Sequence, residues 1–575
     1  MPFIAFLIVV ACGYLLHQYA PPDVRMINQL MTVAGWGVLL CLLPAPLAQR
    51  RTLRAASPLV VALAIVAGAC AASWALGLQS RSPALPTVAM LVLAALLVLH
   101  GAAWGERRPV TLFRWLALAL LLAAIANAAM AIVQFFVPDV HPGWLSADTA
   151  YAGRSTGYMA QPNHLAYLML WALAALPTLA LGSRGSRAVG AGLLLAGLLM
   201  LEGIVLSGSR GGLVGIGFLV AWGALDRRLP RPVRLALLAS PLAALILWAG
   251  TQAVAAWAHL GVTGIAHVSN DITTFRLEIW RNAFMLIAQQ PWLGVGWGEF
   301  NFAWTLTPID YRPAGFVTNA HNLFVHLAVE LGVPLTLLIV ALLLVAAWKG
   351  VAAMRRLEGP GRVHAGLAVV MVGVIGLGSM LEFPLWYTYF LFPVAWAWGF
   401  LLGAGASPDV PAPAAPAAPA GAGEAPLRLW RVLGVMMIVA GFSAWADYLN
   451  VTAIFLPAKD APQFAERVHR GQASPLFARY ADFTAAMATR PRVAALPEIE
   501  RSAHAMLDSK LMFVWADALA QHGEVDKARY VLARLREFRP PDIEGFYAPC
   551  SDPAVTAKPF QCEPPSRAYS WRDFR

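Results

Sequence analysis

Thirteen apolar runs dominate this sequence and leave it few ways to fold. They fall at about 3–19, 27–46, 57–77, 85–103, 114–134, 164–181, 190–206, 211–226, 235–250, 322–347, 364–381, 384–403 and 429–447. Runs of this length suit a hydrocarbon layer about 30 Å thick. Inside lipid a backbone must satisfy its own polar groups, so such runs become helices. Only 13% of the residues are charged, against roughly 25% in a soluble chain. The expected fold is an all-α polytopic membrane protein with about 13 transmembrane helices.

The basic residues orient it. Arg50, Arg51 and Arg54 follow the second run, Arg107, Arg108 and Arg114 the fourth, and Arg184 and Arg187 the sixth. Arg227, Arg228, Arg231 and Arg234 follow the eighth, and Lys349, Arg355, Arg356 and Arg362 the tenth. All these joins are even-numbered, hence on one side, which the positive-inside rule makes cytoplasmic. The net charge of +11 is thereby explained without nucleic acid, for which no zinc-finger spacing, RNP-like run or free basic helix exists. The first run lacks the basic start and cleavage site of a signal peptide and reads as a membrane helix. The expected N-terminus is cytoplasmic, and the large loop and C-terminus lie outside.

Six segments follow. Residues 1–250 hold nine spans, 251–321 a large outer loop, and 322–404 three more spans. Residues 405–427 form a Pro/Ala linker, 428–447 the last span, and 448–575 an outer helical tail. In the tail, 477–490, 498–521 and 525–538 read as helices, and 511–535 resembles one tetratricopeptide-like hairpin turning at His522–Glu524. Scaffolding is its default role. Cys550 and Cys562, twelve apart, are candidates for a disulfide in an oxidising compartment. Cys12, Cys41 and Cys70 lie in apolar runs as small hydrophobes.

The large loop is too long for a connector, and long loops on rigid scaffolds are where sites are built. It holds Arg276 and Arg281 on an amphipathic stretch, 273–287, with Phe275, Ile279, Phe284 and Ile287 along one side. Arginine suits a lipid phosphate because its planar fork bonds bidentately and stays charged when part-buried. Headgroup anchoring is the plainer alternative. GVGWGEF, Gly294 to Phe300, has no βαβ setting and is no nucleotide loop. Its glycines suit close packing, with Trp292 and Trp297 at headgroup level. His321 and Asn322 open the tenth span, with His326 and Glu330 on one helix face beyond. A histidine beside arginines suits a general base or polar orienter. His321, His326 and Glu330 do not complete a metal set, so no metal is expected.

Other outer joins repeat the pattern. Arg154, Gln161 and Asn163 precede the sixth span, and Arg210 stands in SGSRGG between the seventh and eighth. Snorkelling would place an arginine there, but bare flanking glycines favour an anionic ligand. Glu382 lies in SMLEFPLWYTYF, whose aromatics read equally as a membrane belt or a sugar-stacking surface.

SRGG at Ser209–Gly212, FRLEIWRNA at Phe275–Ala283, GVGWGEF and AHNLF at Ala320–Phe324 together resemble the superfamily of bacterial O-antigen ligases, O-antigen polymerases and protein O-oligosaccharyltransferases. STGYMAQPNHLA (Ser155–Ala166), LEFPLWYTYF (Leu381–Phe390) and the helical tail resemble the pilin-type O-oligosaccharyltransferases within it. The resemblance implies a GT-C-like inverting transferase on the outer face of the bacterial inner membrane, with no cofactor or essential metal. The donor it implies is an undecaprenyl-pyrophosphate-linked glycan, and the acceptor a pilin-like or other periplasmic protein. By motif, Arg210 and Arg276 would hold the pyrophosphate and His321 would be catalytic. Arg154, Gln161, Asn163, Arg281, Asn322 and Glu382 would line the site. Transfer to lipid A–core and polymerisation of lipid-linked repeats are the alternatives within the superfamily. A transporter or flippase is the alternative outside it. Against transport, the sequence shows no inverted repeat or paired broken helices, and its polar residues gather on one side.

Overall fold

The computed structural model describes residues 1–16, 20–77, 81–107, 110–137, 153–182, 185–260, 272–313, 315–406 and 424–575. Most of the expected 405–427 linker lies outside these, as do the stretches 138–152 and 261–271 of the loops expected on the outer side. All regular secondary structure among the described residues is helical. Contacts divide the chain into two units. The first comprises Met1–Leu63, Val92–Asn270 and Ala341–Trp445, and the second Ala64–Leu91, Asp271–Val340 and Ala446–Arg575.

Among the described residues sixteen α-helices precede the tail: α1 (Pro2–Tyr14), α2 (Met26–Leu42), α3 (Arg50–Ala75), α4 (Arg81–Arg107), α5 (Val110–Phe136), α6 (Pro162–Ala180), α7 (Arg187–Ser207) and α8 (Arg210–Leu225) come first. They are followed by α9 (Arg231–Trp257), α10 (Ile272–Gln289), α11 (Phe300–Leu306), α12 (Leu323–Leu331), α13 (Val333–Arg356), α14 (Gly359–Gly378), α15 (Thr388–Ala406) and α16 (Glu424–Phe455). Among the described residues ten helices are long and apolar enough to cross a membrane, so the chain is a multi-pass membrane protein. Three of the thirteen expected runs form shorter helices: α1, α2 and α8, of 13, 17 and 16 residues. At about 1.5 Å per residue, α1 reaches only about 20 Å.

The expected tenth span, 322–347, is corrected. It breaks at Gly332 (φ +79°), leaving α12 as a separate nine-residue helix. A Cβ at Gly332 would stand 2.3 Å from the Trp292 carbonyl oxygen, so the break is where the chain passes another backbone. His321 therefore precedes the N-cap of α12, a short helix, and not a membrane span.

In the first unit, α6 and α15 are largely buried, with 78% and 83% of their apolar windows covered, whereas α9 is 17% covered. Leu242 and Ile246 of α9 point outward, 61% and 63% exposed, as lipid-facing residues do. Helix association in lipid relies on close backbone approach through small residues. Gly101 and Gly105 of α4 meet Gly399 and Gly403 of α15 in this way. A Cβ at Gly101 would lie 2.1 Å from the Trp396 carbonyl oxygen, and one at Gly403 2.0 Å from that of Ala102. Trp36, Trp171, Trp396, Phe6 and Phe113 fill the interior between helices.

In the second unit the loop and tail share one core. Phe300, Phe302 and Trp304 of α11 pack with Leu511, Trp515, Tyr530, Trp571 and Phe574 of the tail. The tail helices are α17 (Phe464–Gln472), α18 (Ala478–Ala488), α19 (Leu496–Ala503), α20 (Ser509–Gln521), α21 (Val525–Glu537) and α22 (Ile543–Ser551). α20 and α21 form a hairpin turned at Gly523 (φ +93°). The expected single helix over 498–521 is instead two. Asp508 caps α20 by accepting the Leu511 N–H at 2.9 Å, while Asn301 of the loop accepts the Leu507 N–H at 2.7 Å. The loop thus satisfies the backbone where the helix stops. Cys550 and Cys562 are disulfide-bonded, Cα–Cα 5.1 Å.

Candidate active site

The start of α8 is the best-defined polar feature of the first unit. α7 ends on Gly208 in the left-handed region (φ +56°), and Ser209 then uses its hydroxyl twice. It accepts the Gly212 N–H at 3.0 Å as the α8 N-cap and donates to Asn163 Oδ1 at 2.7 Å. Arg210 is the first residue of α8, so its charge adds to the positive end of the helix dipole. A Cβ at Gly212 would stand 2.7 Å from the Ala166 Cβ, which explains the bare glycines: α8 packs there on α6. Asn163, at the α6 start, is a positioning partner of this turn.

Arg154 and Gln161 take structural roles. The Arg154 Nε donates to the Ser207 carbonyl at 2.9 Å, closing the C-terminal end of α7. Gln161 is the N-cap of α6 and accepts the His164 N–H at 2.8 Å. Glu382 is part-buried in the turn after α14, its N–H donating to the Gly378 carbonyl at 2.7 Å. His164 is buried, with Nδ1 3.0 Å from the Tyr389 hydroxyl and its ring 4.5 Å from that of Tyr387. On Tyr387 lies Arg25, guanidinium 5.2 Å from the ring centroid and Nε bonded to Asp23 at 3.2 Å. Sequence reasoning passed over Arg25 as a sparse charge on the outer side, and only its position opposite the aromatic LWYTYF stretch distinguishes it.

The second unit holds Arg276 and His321. In α10 the buried apolar residues are Ile279, Ala283 and Leu286, with Asn282 buried beside them; the three are spaced as one helical face. Phe284, expected on that face, is 56% exposed; the face is set by α10 lying against α12. Arg281 is exposed and Arg276 half-buried. One turn beyond Arg276, the Trp280 indole donates to the Ala320 carbonyl at 2.9 Å, so α10 is tied to the residue before His321. His321 itself has φ +50°, a region costly for a side-chain-bearing residue, of order 1–3 kcal/mol. The turn is held on both sides: Asn319 Oδ1 accepts the His321 N–H at 2.9 Å, and Asn322 caps α12 by accepting the N–H groups of Phe324 and Val325. Asn322 is thus a cap, whose role is to aim its neighbour.

GVGWGEF grips the far end of α12. Val295 and Gly296 N–H donate to the Val329 and Glu330 carbonyls at 2.8 and 3.0 Å. Gly294 (φ +66°) allows this, since a Cβ there would lie 2.4 Å from the Glu330 carbonyl carbon. Trp297, expected at headgroup level, is buried, its N–H donating to Ser73 Oγ at 3.0 Å, whereas Trp292 is 75% exposed. His326 Nε2 lies 3.4 Å from Glu330 Oε1. Among the described residues no three His, Cys, Asp or Glu side chains group as a metal site.

Arg312, another loop arginine, is wholly committed to scaffolding. It donates to the Trp304 and Thr307 carbonyls at 2.7 and 2.6 Å and to Glu537 at 2.9 Å, between the rings of Trp304 and Phe538. Burial pushes its guanidinium down to about 10. Sequence reasoning also missed Glu299 and His504, joined at 2.9 Å. The only signal was an acidic side chain inside a glycine-rich apolar motif.

Residues 195–340 match a family model described as O-antigen ligase, and residues 366–542 one described as the C-terminal part of a virulence factor membrane-bound polymerase. The "General O-oligosaccharyltransferase" of Acinetobacter baylyi (strain ATCC 33305 / BD413 / ADP1) is 30% identical over 176 residues, 30% of this chain and 27% of that protein. The chain therefore spans about a quarter of the length of the curated relative it matches. Arg210, Arg276 and His321 lie in the first matched stretch, Glu382 and the tail hairpin in the second. These matches, with the multi-pass helical fold, make the chain similar to proteins of the O-antigen ligase superfamily over the stretches that carry its motifs.

Proposed function

We propose that this chain is a membrane glycosyltransferase that moves an oligosaccharide from undecaprenyl pyrophosphate to a serine or threonine hydroxyl of a periplasmic or pilin-like protein. The observation that carries this reading is the start of α8, where Ser209 fixes Arg210 at the positive end of a helix. That chemistry suits a pyrophosphate. Arg210 and Arg276 bind the leaving group and stabilise its growing charge. His321 takes the proton of the attacking hydroxyl, and the anomeric carbon inverts as its bond to pyrophosphate breaks. No metal is required. The reaction takes place at the outer face of a bacterial inner membrane, with the arginine-rich joins cytoplasmic.

The protein acceptor is supported by the name of the Acinetobacter relative. The two family descriptions favour the second readings, transfer to lipid A–core and polymerisation of lipid-linked repeats. Reconstitution with lipid-linked oligosaccharide and each acceptor separately tests them. Glycan on serine or threonine, lost in His321→Ala by roughly 10²–10⁴-fold, supports the proposal. Transfer only to lipid A–core, or only longer lipid-linked chains, would overturn the protein acceptor.

A further inference from the structure

The second unit buries two carboxylates that the proposed reaction does not use. Glu299, in GVGWGEF, is 0% exposed, and Glu330, in the last turn of α12, is 2% exposed. Glu299 Oε2 lies 2.9 Å from His504 Nδ1. Glu330 Oε1 accepts the N–H of Phe300, the residue after Glu299, at 3.2 Å, and faces His326 Nε2. The other oxygens, Glu299 Oε1 and Glu330 Oε2, are buried without a hydrogen-bond partner among the described residues. A buried carboxylate oxygen with no donor is costly, and two ionised neighbours repel as well.

Charge counting points the same way. The groups facing the pair are His504 and Arg575 from the tail, His326 from α12, and the Cys70 thiol from α3, which feels the Glu330 charge. Arg575 donates to the Val295 carbonyl at 2.7 Å. A proton on the Glu299 carboxyl removes one of two neighbouring negative charges from this contact.

We propose that the Glu299 carboxyl, buried beside Glu330, keeps its proton in the folded protein, and that this proton keeps GVGWGEF seated on α12 and so positions His321. The mechanical link is short. The bonds from Val295 and Gly296 to the end of α12 form the same contact as the carboxylate pair, and the cap of α12 directly follows His321. Losing the proton sets two buried negative charges against each other at that contact. Glu299 and Glu330 are then positioning residues. Burial, with the Glu330 charge adding to it, holds the Glu299 carboxyl above the usual range against the opposing pull of His504 and Arg575. The folded protein thus retains a proton that the unfolded chain has released. The stabilisation is present in full below the ordinary glutamate pKa and is lost as pH rises through the folded value.

The test uses the full chain in detergent or nanodiscs. Thermal unfolding is followed by tryptophan fluorescence between about pH 5 and 9, for the parent, Glu330→Gln and Glu299→Gln. The parent midpoint should fall as pH rises. Glu330→Gln, whose amide is a permanent donor without charge, should flatten that fall. A Glu330→Gln curve parallel to the parent's would overturn the proposal. The role assigned to His321 under the proposed function is needed only for a second readout. Glu330→Ala should lower kcat for glycan transfer roughly 10–100-fold with donor KM kept, and the glutamine variant should recover most of it. A flattened melting curve supports the retained Glu299 proton even if no transfer is detected with any acceptor, an outcome that would count against the proposed function alone.

Discussion

Removing the Arg312 guanidinium should loosen the second unit more than almost any other single change to the loop. The side chain is fully buried (0% exposed) and ties the carbonyls ending α11 to Glu537 of α21. In Arg312→Ala those two carbonyls lose their donors, each left unsatisfied at about 1–3 kcal/mol. Glu537 keeps Arg534 at 2.9 Å, which limits the loss on its side. Breaking a buried pair from one side typically costs about 3–5 kcal/mol. In a unit of this size that is worth about 6–20 °C in melting temperature. Arg312→Met should lose less, since the thioether fills volume between Trp304 and Phe538. Adding Glu537→Gln to Arg312→Met should restore part of the difference, because neutral partners avoid the desolvation of both ions. Thermal unfolding of the purified full chain, with limited proteolysis of the tail, measures these effects. An Arg312→Ala midpoint within about 2 °C of the parent would refute the claim that this arginine joins loop to tail.

Arg210→Ala should abolish transfer while the protein still accumulates in the membrane, and Arg210→Lys should recover only part, since a point charge lacks the planar fork; normal turnover by the alanine variant would remove Arg210 from the site. Ser209→Ala, which removes the α8 cap and the bond to Asn163, should cost about 0.5–2 kcal/mol and raise donor KM, read from initial rates against donor concentration. Gly101→Leu and Gly403→Leu should each prevent α4 and α15 from closing, seen as loss of monodisperse protein on size exclusion; an unchanged elution profile would argue against backbone contact there. Reducing Cys550–Cys562, which closes a loop of 12 residues, should destabilise the tail by about 3 kcal/mol, measured by melting with and without reductant.

Much of this molecule was legible before any coordinates. Length and apolarity of the runs dictate helices, because a backbone in lipid has no other partner for its N–H and C=O groups. The motifs around Arg210, Arg276 and His321 carried the resemblance to the superfamily, since spacing and residue type survive in the linear order. What the sequence could not reveal is which polar side chains the fold spends on itself. Gln161, Asn322 and Arg154, expected along the site, also serve as caps and ties of helix ends. Arg312 looked as available as Arg276, yet it is buried between two rings with three bonds made. Helix breaks were equally hidden: apart from Asn322, His326 and Glu330 the stretch 322–347 reads as one apolar run, and only the backbone passing at Trp292 shows why Gly332 ends one helix and starts another. Long-range pairs such as Glu299 with His504, 205 residues apart, leave no periodic or local trace. Local pattern reports what each segment prefers, whereas the partner of a buried polar group is decided by which distant segment arrives beside it.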